Sequence, residues 1–368
     1  MTTTEDQQDA AVEATPASVK AAFGAKNRLR LIDTYFRENG GDGIKAAEAW
    51  MHIYRLLLWI DRTTGLAHCY ESDKSQPGKR WYGRSLAFHD WVSAELAASP
   101  ARLAEHIDWL FIRAAKDLAA EVMRKASKVA AVAEKQRGAY EGRGFPKPGE
   151  DPELVSLIRE EAGSYLAAEP DSEVWSRLVP RVRQYLSLDN KRKNLVGEGF
   201  EDVIEQVVKR VCSDSGVEVN ARKILHEIPG FNRVRRGEKA NKVDVAIVRP
   251  GMRTMVTAKW SVRADREKQF TTDYNDYLNA ESDNKPFEYV FITNEFDPAR
   301  LMRACEKLEG NALMFKHVVH INTAALVATY GHIESNEEQG STIQSVMSFI
   351  ESGRLISLEQ WLKGLQGM

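Results

Sequence analysis

Asp244 stands inside an apolar, β-branched run, KVDVAIV (242–248), where a carboxylate is out of place. Lys259 follows on the far side of an Arg-Pro-Gly segment (249–251), at the end of a second β-branched run, RTMVTAKWSV (253–262). Two antiparallel strands joined by such a turn bring Asp244 and Lys259 to neighbouring ends. A carboxylate beside a lysine at a strand end suits a hard divalent cation, which takes oxygen ligands and keeps most of its own waters. The cation offsets charge developing on a phosphodiester and makes hydroxide available. The lysine then orients the nucleophile or stabilises the transition state. The plain alternative for Asp244 is an edge-strand carboxylate facing water.

The next stretch carries a resemblance. Thr257-Ala258-Lys259, the Lys259-Trp260-Ser261 start and the element Arg263-Ala264-Asp265-Arg266 resemble the PD-(D/E)XK nucleases, and within them the type II restriction endonucleases that read CCGG. Most of that superfamily has a carboxylate where Thr257 stands. In the CCGG branch a small residue stands there, and the missing acid has moved to the following helix, at the position of Asp273. The resemblance implies that Asp244 and Asp273 hold metal and that Lys259 assists the attacking water. A helix glutamate completes the site; of Glu198, Glu201 and Glu205 in VGEGFEDVIEQ, Glu201 is the choice. It further implies that Arg263, Asp265 and Arg266 read the core bases. The chemistry is sound, because Arg presents paired donors to guanine O6 and N7 and Asp accepts from cytosine N4. A surface charge cluster is the bland reading of the same residues. The chain departs from the pattern in having Val243, not Pro, before Asp244, and a short interval from Asp244 to Lys259.

These residues need elements to position them. A helix is expected over NLVGEGFEDVIEQVVKRVC, a short strand at KILHEIPG, then strands at 242–248, 253–262, 287–293 and 316–322. Helices are expected from about Asp265 to Leu278 and at DPARLMRACEKLEG, which has Asp-Pro at its start and Gly past its end. That order describes an α/β fold with a mixed central sheet flanked by helices. Before it, residues 19–185 read as a helical N-terminal domain for DNA contact or oligomerisation, and 186–368 as the catalytic domain. Residues 1–18 read as a disordered tail, and RGAYEGRGFPKPGEDPE (137–153) as a linker.

Net charge is −2, so an anionic partner would meet a local basic patch and not bulk charge. Arg80 and Arg84, interleaved with Trp81 and Tyr82, and Arg235 and Arg236 in RVRRGEK are candidate contacts to DNA backbone. His68, His89 and His106 make no ligand pair. The three cysteines have no metal-binding spacing, and neither a signal peptide nor a membrane span is apparent, so a cytoplasmic setting is expected. The expectation is a Mg2+-dependent endonuclease (Mn2+ substituting) acting on double-stranded DNA with a CCGG core, leaving 5′-phosphate ends. A palindromic site calls for a homodimer or higher homo-oligomer. The alternatives are a repair or modification-dependent nuclease of the same fold, or a non-catalytic DNA-binding protein.

Overall fold

The computed structural model describes residues 16–367 apart from 42, 72, 141, 144–150, 167, 169, 214, 233–240, 263–266 and 332–339. Helices α1 (Pro16–Phe23), α2 (Ala25–Asn39), α3 (Ala49–Leu57), α4 (Tyr82–Glu95), α5 (Trp109–Arg137), α6 (Pro152–Ala162), α7 (Ser172–Ser187) and α8 (Asp189–Val211) come first. Strands β1 (Glu218–Ile224), β2 (Lys242–Arg249) and β3 (Met252–Lys259) follow, then α9 (Glu267–Ala280) and β4 (Phe287–Thr293). The chain continues with α10 (Pro298–Glu306), a small hairpin of β5 (Leu308–Glu309) and β6 (Ala312–Leu313), and β7 (His317–His320). It ends with α11 (Thr323–Tyr330), α12 (Gly340–Glu351), β8 (Leu355–Ser357) and α13 (Leu358–Gln366).

Packing divides the chain into two compact units. One holds the residues up to Leu31 with Leu110–Leu195, the other Ile32–Trp109 with Val196–Met368. The sequence places a boundary near residue 186; the contacts instead join Ile32–Trp109 to the sheet. The reason is visible in side chains. Tyr54 of α3 donates to Asn294 Oδ1 at 2.8 Å and sets its ring edge against Trp260. Phe88 of α4 and Tyr70 both meet Phe296, at 4.7 and 6.0 Å between ring centroids. Helical periodicity shows that a helix has an apolar face, not which partner covers it.

The first unit is helical. Phe23 packs on Phe111, and Asp117 of α5 accepts from Asn27 and Arg30 of α2. Asp151 and Asp171 cap α6 and α7 by accepting from Leu154 and Val174 backbone N–H groups, satisfying donors that a helix start otherwise leaves open. The expected tail lies mostly outside the described residues; its last three positions open α1.

The second unit is α/β. Its six-stranded sheet runs β1-β2-β3-β4-β7-β8. β1, β2 and β3 pair antiparallel, while β3, β4, β7 and β8 pair parallel. β3 and β4 are buried along most of their length because both faces are covered. Pro250 and Gly251 form the two-residue turn between β2 and β3. Gly251 takes φ 78°, the left-handed conformation that the third position of a type II turn requires. The turn fixes the register Arg249↔Met252 through Val245↔Val256. That register brings Asp244 level with Thr257. Asp297 caps α10 with Pro298 at its first position, as the sequence leads one to expect. β1 begins and ends earlier than the strand expected at KILHEIPG, whose second half is a short 3-10 turn and loop. The three cysteines are free and buried. No helix among the described residues is long and apolar enough to cross a membrane.

Candidate active site

Four side chains from two helices and two strands lie at the rim of the sheet. α8 lays Phe200, Val203, Ile204, Val207 and Val208 into the core, and Phe200 meets Trp260 at 5.4 Å. That docking turns Glu201 toward the end of β3. Asp244 comes from β2, Lys259 from the last position of β3, and Asp273 from the second turn of α9.

Asp244 Oδ2 is the hub. It accepts from Lys259 Nζ at 2.6 Å, from the Ala258 backbone N–H at 2.9 Å and from the Thr257 hydroxyl at 3.2 Å. Its Oδ1 takes no hydrogen bond from the described residues. Thr257 therefore serves as a donor to the Asp244 carboxylate. Glu201 Oε1 lies 3.8 Å from Lys259 Nζ. Asp273 Oδ1 accepts from Asn241 Nδ2 at 3.3 Å, and the same amide reaches Asp276 at 2.9 Å.

The charges are compressed. Burial, then the neighbouring Asp244 charge, push Glu201 up to about 8, against the pull of Lys259 and Arg222. Burial pushes Asp273 up to about 6, with Asp244 adding to it and the Asn241 hydrogen bond opposing. Burial alone would lower Lys259, but Asp244, Glu201 and Asp273 outweigh it and hold the ammonium above its ordinary value. Glu201, Asp244 and Asp273 thus crowd about Lys259, with Arg222 as a second cation at Glu201, an excess of negative charge that a divalent ion would offset. Among the described residues no three His, Cys, Asp or Glu side chains form a ready-made metal cage. The donor set, with an open oxygen on Asp244 and carboxylates as the only ligand type, fits a hard cation that keeps most of its waters.

Other expectations fall elsewhere. Glu205 pairs with Lys209 at 2.8 Å, away from the site. Arg263, Asp265 and Arg266 lie outside the described residues, as do Arg235 and Arg236. Val262, just before Arg263, donates its N–H to Glu295 Oε2 at 2.8 Å, and Glu267, just after Arg266, is held by Arg303 at 2.8 Å. Arg80 is exposed. Arg84 is 5% exposed and its guanidinium lies 5.7 Å from the Trp81 ring, which leaves it little surface for a phosphate. His68 stacks on Trp59, and His89 Nδ1 accepts from the Ala67 N–H, so both histidines are occupied in the fold.

No family model and no curated protein matches the chain. A solved structure of metal-depleted Ecl18kI in complex with uncleaved, modified DNA is similar at 10% identity, over 96% of this chain and 85% of that one, with a TM-score of 0.34. A likeness that loose fixes neither an activity nor the role of a residue.

Sequence reasoning missed Arg222, Asp202 and Asn241. Arg222 of β1 donates to Glu201, to Asp202 and to the Glu198 carbonyl. No spacing signals these residues, since they reach the site only through strand order. Asn241 orients Asp273, and its loss has a definite expected effect. Asn241→Ala is expected to raise Asp273 further above its ordinary carboxylate range, because the hydrogen bond that opposes burial is lost, with the melting temperature little changed. An unaltered titration of Asp273, followed by carboxyl NMR, would show that Asp273 needs no such partner.

Proposed function

We propose that the protein is a Mg2+-dependent, restriction-type endonuclease that hydrolyses double-stranded DNA at a palindromic site with a CCGG core. One observation carries the reading more than any other: Asp244 Oδ2 sits 2.6 Å from Lys259 Nζ, with Glu201 3.8 Å from the same ammonium. Asp273, on the helix that follows, bears electrostatically on both Asp244 and Lys259. An acid, a lysine and a displaced second acid at a strand rim form the arrangement that the nuclease resemblance leads one to expect.

Asp244 and Asp273 would hold the cation, with Glu201 beside them. Bound there, Mg2+ or Mn2+ supplies charge neutralisation at the phosphodiester and a lowered pKa for water. Lys259 is held as an ammonium and is no proton acceptor near neutral pH. It therefore donates, to the attacking oxygen or to the phosphorane that forms. Water adds to phosphorus and gives up a proton to solvent, the P–O3′ bond breaks, and the 3′ oxygen leaves with a proton from solvent. The products are a 5′-phosphate and a 3′-hydroxyl. Arg263, Asp265 and Arg266 would read the core, and a palindrome calls for two copies of the chain.

Digestion of a plasmid of known sequence with Mg2+, followed by mapping of the ends, tests the reading. Discrete fragments ending at CCGG are expected. A smear leaves a same-fold nuclease with another target. An inert wild type with either Mg2+ or Mn2+ favours the non-catalytic DNA-binding alternative, for which Thr257 in place of an acid is the supporting feature.

A further inference from the structure

Arg222 has a backbone conformation that its residue type does not favour. It lies within β1, between the pairs Ala221↔Val245 and Lys223↔Val243, level with Asp244. Its φ is 51°, in the left-handed region where any side chain but glycine is strained. Such strain persists only where surrounding contacts over-determine it, and it gathers at functional sites. Here the contacts are on α8. Arg222 donates to the Glu198 carbonyl at 3.0 Å and to Glu201 Oε2 at 3.5 Å, and forms an ion pair with Asp202. The Asp202 side chain is fully buried. A buried carboxylate needs a charged partner, and Arg alone presents a rigid fork that can serve two acids and a carbonyl at once.

We propose that Arg222 is a positioning residue for the cation site, fixing Glu201 beside Lys259 and Asp244 and so setting the affinity for a divalent ion. The inference rests on the endonuclease reading for its chemistry, but its test does not depend on cleavage. Arg222 grips Glu201 through one oxygen while the other faces the Lys259 ammonium. Without that grip Glu201 is free to rotate, and the ion must order it on binding. Loss of a residue that orients a ligand weakens metal binding by roughly 10–100-fold.

The experiment titrates Mn2+ and Mg2+ into the DNA-free, full-length protein by calorimetry, in parallel with cleavage rates over a range of Mg2+ concentrations. Arg222→Gly accommodates the left-handed backbone, and pairing it with Asp202→Asn removes the buried charge that Arg222 faces. That double variant keeps a folded, cooperative melting transition. Its dissociation constant for Mn2+ is expected to rise roughly 10–100-fold. Its cleavage rate returns toward that of the wild type at saturating Mg2+. Arg222→Lys, which keeps the charge and loses the fork, falls between. An unchanged dissociation constant, or a wild type that takes up no cation, overturns the proposal. So does a rate that stays low at every Mg2+ concentration with an unshifted midpoint. Cation binding by a wild type that cuts no DNA sinks the endonuclease reading and leaves the role of Arg222 decided by calorimetry.

Discussion

On the endonuclease reading, Asp244→Asn is expected to lower the single-turnover rate of DNA cleavage by roughly 10²–10³-fold in a protein that still folds and still shifts DNA in a gel. Three donors converge on Asp244 Oδ2, so the side chain is fixed before any ligand arrives. Asparagine keeps the shape and loses the charge. One of its two terminal atoms becomes a donor, which faces either the open Oδ1 position or the Lys259 ammonium. In the first case a ligand oxygen is lost. In the second the hydrogen bond to Lys259 turns repulsive. Lys259→Ala should fall as far, because the ammonium is the closest donor to Asp244 and its charge also bears on Glu201 and Asp273. The double variant should be little worse than either single one, as residues that act as a unit are not additive. Near wild-type cutting by Asp244→Asn would remove this aspartate from the reaction and take the proposed site with it. Loss of DNA binding in step with loss of cutting would instead point to a folding defect.

The legible part of the site was the part carried by local pattern. Asp244 was conspicuous because β2 is otherwise apolar at its centre, and the Pro250-Gly251 turn set the register that brings it to Lys259. Asp273 followed from the resemblance and proved to lie on α9, bearing electrostatically on Asp244 and Lys259. The illegible part depended on tertiary neighbours. Arg222 and Asp202 are 20 residues apart and meet only because β1 lies at the edge next to β2 while α8 packs over the sheet. A left-handed φ at an arginine has no signature in residue type. Asn241 finds Asp273 across 32 residues for the same reason. In the fold, β4 announced itself by its aromatic and β-branched residues, whereas β8 is three residues long and too short for any period to register. The partnership of Ile32–Trp109 with the sheet was hidden too, because an amphipathic helix does not name the surface it will cover.

The other large effect is on stability, and its sign follows from the site's crowded acids. In the cation-free protein, burial and the Asp244 charge hold Glu201 above its ordinary value, and burial does the same to Asp273. A raised carboxylate binds a proton in the folded state over a pH range where the unfolded chain has already lost it. Stability therefore falls as pH rises through that range. For Asp273 the window runs from 3.8 to about 6, and for Glu201 from 4.5 to about 8. Lys259 is raised too, but the stability this contributes is fully present below 10.5 and is lost only above it, outside both windows. With a chelator present, the melting temperature should drop between pH 6 and pH 8, by roughly 2–4 °C per kcal/mol of linked free energy for a domain of this size. Glu201→Gln, neutral at every pH, should flatten that slope and melt at or above the wild type at pH 8. Mg2+ should lift the wild type most at the alkaline end, where the acids are already ionised and no proton need be displaced. Parallel melting profiles for wild type and Glu201→Gln from pH 5 to pH 8.5 would mean that Glu201 carries no strained charge. The convergence of three acids on one ammonium would then be a solvated cluster and not a site prepared for a cation.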